Sequence, residues 1–235
     1  MGLALVLCGC ASTSPRPARR DDVIRRIVPS TVQLRCEREG GGRRSASGIV
    51  LASDSAARLS WILTTRHFLD PPTRQEIHIA VPDQKKRFRA KVVAMSDDSD
   101  LAVLEAEDVV LPGVHFKDTS RLGDDVWVVA FPWGRRLTLV SGVVSQIVSE
   151  SGEAAVEGPA LMVDASVSYG ASGGGVFDAP TGALIGVVES HRTARVTSAP
   201  DRVLEIPVPG ETTIISSTVI ARFLTTAGLQ RLVRE

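Results

Sequence analysis

The chain has 235 residues, 43% of them hydrophobic, with 27 basic and 27 acidic side chains. That size and apolar content suffice for one generous all-β domain or two small ones, and the balanced charge gives no footing for nucleic acid as the main partner. No stretch reaches the roughly 20 apolar residues of a membrane-spanning helix, and the basic residues, of which only Lys85, Lys86, Lys91 and Lys117 are lysines, suggest no recognition patch.

The first segment is apolar and contains two of the three cysteines, Cys8 and Cys10. Leu7-Cys8-Gly9-Cys10 is similar to a bacterial lipobox: an aliphatic residue, a variable one, a small one, then the cysteine that is lipidated and becomes the mature N-terminus. Residues 1–9 lack the Lys or Arg of a charged n-region, so they read as a partial signal peptide, with a frayed apolar terminus as the alternative. Met1-Gly2 opens like a myristoylation site, but Leu5 and Val6 stand where that signal wants Ser or Thr. With Cys8 removed and Cys10 acylated, Cys36 would have no partner, and the domain is expected to hold together without a disulfide. Residues 10–22, rich in small, proline and charged residues, read as a flexible tether, with the folded domain covering 23–235.

From Val23 onward, short β-branched runs alternate with turn residues. Strands are expected at Val32–Cys36, Ser47–Leu51, Trp61–Thr64, Ile77–Val81, Lys91–Ala94 and Leu101–Leu104. The pattern resumes at Asp125–Ala130, Leu137–Ile147, Leu161–Val163, Gly174–Asp178, Leu184–Glu189 and Thr212–Ser216. Between the last two, Arg192–Gly210 is rich in Arg and Pro and reads as a surface loop. Helical periodicity emerges at the end, where Val219, Ile220, Phe223 and Leu224 share a face and Gly228 gives a stop. This composition implies an all-β barrel or pair of barrels with a C-terminal helix.

Chemistry concentrates at Tyr169-Gly-Ala-Ser172-Gly-Gly-Gly175. Glycines around one serine allow a sharp turn and bring backbone N–H groups close to a reacting carbonyl. On its own the segment fits a structural turn equally well. A serine nucleophile needs a base, and the base needs an orienting group. Of the four histidines, His78 lies inside an alternating strand, His115 in a turn-rich stretch and His191 at the start of the long loop. His67 follows the buried-looking strand Trp61–Thr65, where a rigid element gives way to a loop. Asp100 ends the polar turn Ser96–Ser99 and enters a strand, so it is the carboxylate pinned closest to the core; satisfying its own turn is the alternative role.

Five stretches in order make the chain resemble the chymotrypsin-like serine proteases, specifically the bacterial HtrA (Deg) branch. They are Ser47-Gly48-Ile49-Val50; Ile62-Leu-Thr-Thr-Arg-His67; Asp100-Leu-Ala-Val-Leu104; Leu122–Gly134 with Ser141–Ser145; and Gly170–Gly174 with Gly182–Val188. The resemblance implies two six-stranded β-barrels with a C-terminal helix, the active site between them, and peptide-bond hydrolysis through an acyl-enzyme. In it Ser172 attacks, His67 carries the proton and Asp100 orients His67, while the N–H groups of Gly170 and Ser172 hold the oxyanion. Neither a metal nor an organic cofactor is implied. Ser166, Tyr169, Val188, Glu189 and Ser190 would wall the substrate site, and Val188–Ser190 could pair with substrate backbone as an added strand. No acid stands at the pocket base, which favours small or medium aliphatic residues before the cut.

Departures from the family pattern are Ala171 before the serine, Gly175 after the two glycines, and Phe131 before Pro132. Gly175 could let the oxyanion loop relax, in a class known for switching that loop. No PDZ domain is expected after the C-terminal helix. The implied partners are protein or peptide substrates in extended form, with membrane contact only through the N-terminal lipid and a homo-oligomer left open. The implied location is the periplasmic face of the bacterial cell envelope, with a soluble periplasmic protein as the alternative. The alternative function is a protease-fold scaffold whose oxyanion loop stays collapsed.

Overall fold

A computed structural model describes residues 19–38, 41–71, 75–82, 84–147, 153, 155–199 and 202–233. The lipobox cysteines Cys8 and Cys10 lie outside them.

Helix α1 (Arg20–Ile27) begins earlier than the sequence suggests, inside the stretch read as a tether. Asp21 and Asp22 in its first turn and Arg25 and Arg26 in its last complement the helix dipole. Val23 and Ile27, one turn apart, are buried. The Arg20 guanidinium lies 4.5 Å over the Trp127 ring, and Arg26 donates to the Thr181 carbonyl, so the helix straps the second half of the chain before the first barrel starts.

The first barrel contains β1 (Thr31–Arg38), β2 (Arg43–Asp54), β3 (Leu59–Thr65), β4 (Gln75–Ala80), β5 (Arg87–Ser96) and β6 (Leu101–Glu107). It closes in the order β1-β2-β3-β6-β5-β4. A connector leads through β7 (Ser120–Arg121) to the second barrel, made of β8 (Asp125–Ala130), β9 (Thr138–Ile147), β11 (Ala160–Asp164), β12 (Gly175–Asp178), β13 (Leu184–Ala199) and β14 (Arg202–Ser216). That barrel closes in the order β11-β14-β13-β12-β8-β9, while β10 (Glu157–Gly158) pairs with β7 in a small separate sheet. All named ladders are antiparallel, so the two six-stranded barrels match the expected architecture.

Alternation explains why these strands read as continuous apolar runs. In β6, Ala102 and Leu104 fill the first barrel, whereas Leu101 and Val103 face the layer between barrels. In β8, Val126 and Val128 fill the second barrel, and Trp127 and Val129 face the same layer. A strand covered on both faces needs apolar side chains on both. Helix α2 (Ser217–Thr226) completes the layer with Ile220, Phe223 and Leu224; the Ser216 hydroxyl caps it by accepting from the Val219 N–H, and Gly228 ends it at φ +71°.

The stretch from Arg192 to Gly210, expected as a loop, is instead the outer part of the β13–β14 hairpin, paired from Thr193↔Pro207 to Ala199↔Arg202. Its prolines concealed it. Beyond Thr212 and Thr213, β14 has no partner on its other side among the described residues, and an edge strand tolerates Pro207 and Pro209.

The connector is fixed by charge. Lys117 forms an ion pair with the buried Asp178 and lies 3.4 Å from Asp124, while Asp178 also accepts from the Thr181 N–H. Burial pushes the Lys117 ammonium down, but the two carboxylates outweigh it and hold the group above the usual lysine value. Lys117→Met leaves a buried carboxylate without its cation, and is expected to lower the unfolding free energy by about 3 kcal/mol in urea denaturation. A loss below about 0.5 kcal/mol would show that this pair contributes nothing net.

Candidate active site

Strand β3 ends at Thr65, and the chain enters a short 3-10 turn, Arg66–Leu69, that carries His67. The neighbouring β5–β6 turn ends at Asp100, whose φ of +50° lies in the left-handed region that Asp tolerates better than most residues. Two backbone links hold the turns together: Arg66 N–H donates to the Asp100 carbonyl at 2.9 Å, and His67 N–H to Asp100 Oδ1 at 2.8 Å. The imidazole completes the clamp, with Nδ1 2.6 Å from Asp100 Oδ2. With Nδ1–H donating to the carboxylate, Nε2 is left as the acceptor nitrogen. Burial alone would raise the Asp100 carboxyl. The ring and backbone hydrogen bonds from His67, with the charges of His67 and Arg66, outweigh it and hold this acid below the ordinary aspartate value.

Ser172 occupies a turn held by consecutive bonds. Ala171 N–H donates to the Ser168 carbonyl at 3.0 Å and Gly174 N–H to Ala171 at 2.8 Å, with Gly170 at φ +87° and Gly173 at φ +79°. Space forbids a side chain as firmly as φ does. A Cβ on Gly173 would overlap the Ser47 carbonyl, and one on Gly170 would come within 2.8 Å of Trp133 N. Gly175 differs, since it sits in β12 opposite Val129 and Val187 at an ordinary φ. A Cβ there would meet the Phe177 ring at 2.5 Å and Ile49 Cδ1 at 2.7 Å. Close packing between the barrels explains this glycine, not freedom in the turn.

Ser47, fully buried on β2, ties this turn to the first barrel. Its N–H donates to the Ser172 carbonyl at 2.9 Å, and its hydroxyl donates to the Gly170 carbonyl and accepts from Phe131 N–H, both at 2.8 Å. Its own carbonyl accepts from Thr64 Oγ1 at 2.8 Å. On the far side Gly173 N–H donates to Val188 and Val188 N–H to Gly174, each at 2.8 Å. The Tyr169 carbonyl accepts from Trp133 N–H at 2.6 Å, and Trp133 adopts φ +56° to deliver it. A trans peptide points its C=O and N–H in opposite directions, so Gly170 N–H is directed away from Trp133. Among the described residues neither it nor Ser172 N–H has an acceptor.

His67 and Ser172 line one cleft of about 430 Å³ between the barrels. His67 Nε2 lies 3.5 Å from Thr65 Oγ1, and among the described residues no hydrogen bond joins it to Ser172 Oγ. A catalytic hydrogen bond commonly tightens only when substrate arrives. Tyr169, Glu189 and Ser190 also line the cleft, but Ser166 is exposed outside its lining and Val188 points into the second barrel, 1% exposed, with both backbone groups engaged. The cleft adds residues that sequence reasoning did not select. Arg44 donates to the His67 and Asp70 carbonyls, and His191 packs edge-on against Tyr169 at 5.3 Å. The Tyr169 ring lies 5.2 Å from Trp133 on its other side. His191 was legible as a histidine but hidden in the supposed loop. Among the described residues no group of three or more His, Cys, Asp or Glu is arranged to hold a metal.

An imidazole with its inner nitrogen pinned, a serine on a glycine turn and two outward N–H groups form an arrangement suited to acyl transfer. Comparison with known proteins points the same way. A family model for the trypsin-like peptidase domain matches residues 46–187. A probable periplasmic serine endoprotease of the DegP-like kind from Marinomonas is 30% identical over 150 residues, covering 62% of this chain and 30% of the relative. The periplasmic serine endoprotease DegP of Escherichia coli is 28% identical over 156 residues, covering 63% and 31%. The chain thus spans about a third of the length of these relatives. The crystal structure of a serine endoprotease from Yersinia pestis superposes with a TM-score of 0.66 at 22% identity, covering 92% of this chain and 68% of that one. The match to the family model over residues 46–187 takes in His67, Asp100 and Ser172 together, and the chain belongs to the trypsin-like peptidases.

Proposed function

We propose that this protein is a serine endopeptidase of the HtrA-like kind, with Ser172 as nucleophile, His67 as general base and then acid, and Asp100 as the group that orients His67. The observation that carries this reading is the two-point contact of Asp100 with His67, through the ring at 2.6 Å and the backbone at 2.8 Å, beside a cleft that Ser172 shares. In the reaction Ser172 Oγ adds to the substrate carbonyl as its proton passes to His67 Nε2. The oxyanion is held by the N–H groups of Gly170 and Ser172, and collapse of the tetrahedral species gives an acyl-enzyme and releases the amine with the proton from His67. Water then repeats the sequence and frees the acid. Extended polypeptides are the substrates in this reading.

The location proposed is the bacterial envelope, since the similar DegP proteins are named as periplasmic, with lipid on Cys10 as the attachment. A Cys10→Ser protein expressed in a bacterial host is expected to leave the detergent phase and the membrane fraction. Retention in both would sink the lipid anchor and leave the peptidase reading intact.

A fluorophosphonate probe tests the chemistry directly. The purified protein is expected to be labelled and Ser172→Ala to be blank, with cleavage of an unfolded casein following the same pattern. Absence of both label and cleavage would favour a scaffold with a collapsed oxyanion loop. Ser47→Ala separates turn geometry from the triad. It removes the hydroxyl that holds the Gly170 carbonyl and leaves Phe131 N–H without an acceptor, so labelling is expected to slow at least about tenfold with a stability loss of about 1–3 kcal/mol. Unchanged labelling kinetics in a folded Ser47→Ala protein would show that the turn holds its shape without this hydroxyl.

A further inference from the structure

Glu189 lies in the wall that two clefts share: one contains His67 and Ser172, and the other runs along helix α2. A break in strand register puts it there. Val188 pairs with Ile214 and Ser190 with Thr213, so Glu189 is an extra residue on β13 with no partner on β14. Such a bulge re-aims a side chain that regular pleating would place elsewhere. Among the described residues the carboxylate is half-buried and has neither an ion pair nor a hydrogen bond. The charges that act on it are those of Asp100 and His67.

We propose that Glu189 is a positioning residue for the His67–Asp100 pair, a second carboxylate whose negative charge steadies the imidazolium that forms when Ser172 gives up its proton. This rests on the peptidase reading above. The surrounding charges leave room for that role. Arg44, across the cleft on β2, is committed to the carbonyls of His67 and Asp70, and Arg66 to Asp70 and Asp97. In the second cleft Arg222 of α2 faces Glu189 together with Asp98 and Asp118, and His191 follows it on its own strand. None of these forms an ion pair with Glu189 in the described residues. Burial, and then the Asp100 charge, push the Glu189 carboxyl above the ordinary glutamate value, while His67 pulls it down. The two carboxylates thus have opposite tendencies beside one imidazole, Asp100 held below its ordinary value and Glu189 above it.

The sign of the effect follows from Coulomb's law. An ionised Glu189 favours the imidazolium; a neutral residue does not. Glu189→Gln is therefore expected to move the His67 midpoint, read by NMR of the imidazole, down by about half a pH unit. The acid limb of kcat/KM should move by the same amount, and the plateau kcat should fall roughly threefold as the imidazolium loses that support. Glu189→Asp should return the midpoint toward the wild type. Where Glu189→Gln fails to fold, Glu189→Ser is read in the same titration. Coincident midpoints in wild type and neutral variant, or a midpoint that rises, overturn the proposal. Wild-type protein without Ser172-dependent labelling overturns the peptidase reading instead and removes the catalytic part of the proposal, while the imidazole titration still decides whether the charges are coupled.

Discussion

Ser47 is where the two barrels are tied together at the cleft that His67 and Ser172 line. It belongs to the first barrel, yet three of its bonds go to the second: to Ser172, Gly170 and Phe131. Ser47 itself is fully buried, and a shift of the barrels would break all three bonds, which makes sliding costly in a way that apolar packing alone does not. The apolar layer made by Ile49, Val103, Trp127 and Phe177 brings the barrels together. It is non-directional, and it would tolerate small changes of angle. The hydrogen bonds around Ser47 supply the direction, fixing the Ser172 turn against β2, while the clamp on His67 is built separately on β3 and β6.

That separation has a consequence for chemistry. His67 and Asp100 sit on turns of the same barrel and are joined through backbone and side chain, so their geometry does not depend on the Ser172 turn. The Ser172 turn is held from both sides, by Ser47 of the first barrel and by Val188 and Trp133 of the second half of the chain. The cleft lies between the clamped His67–Asp100 pair and a turn with several outside supports. Strain is stored on both sides, at Asp100 with φ +50° and at Trp133 with φ +56°, where the surrounding bonds over-determine the backbone.

The sequence carried the barrels well because strands buried on both faces leave uninterrupted apolar runs, and Leu101–Leu104 and Asp125–Ala130 are such runs. It made His67, Asp100 and Ser172 stand out as candidates because each lies beside a strand end; the structure joins His67 to Asp100 and sets Ser172 on the same cleft as His67. Helix α1 was missed, since its amphipathic signal is only Val23 and Ile27 among charged residues that read equally well as a tether. The outer part of the β13–β14 hairpin was missed because proline argues against a strand unless one edge is free, and edges are a property of the assembled sheet. Pocket residues were the least legible. Tyr169, Glu189 and Ser190 reach the cleft, whereas Val188 turns inward and Ser166 lies outside it; a resemblance of motifs carries no information on a bulge such as that at Glu189, which changes the face a residue of β13 occupies.

The same bulge bears on the glycines of the nucleophile turn. Without the extra residue at 189, continuing the alternation from Val188 would shift the residues up to the next register break after His191 to the opposite face, and His191 would leave the cleft wall. The turn before Ser172 leans on that wall, since Tyr169 packs against His191 on one side and Trp133 on the other. The glycines at 170 and 173 thus permit the turn, but aromatic contacts and the Trp133 N–H hold it in its present form. Gly175, the departure that pointed to a loose loop, lies in a ladder between Val129 and Val187 with no space for a methyl group. Any freedom to change shape must therefore reside before Ser172, at Tyr169 and Gly170, and it is limited by how firmly Trp133 keeps the Tyr169 carbonyl.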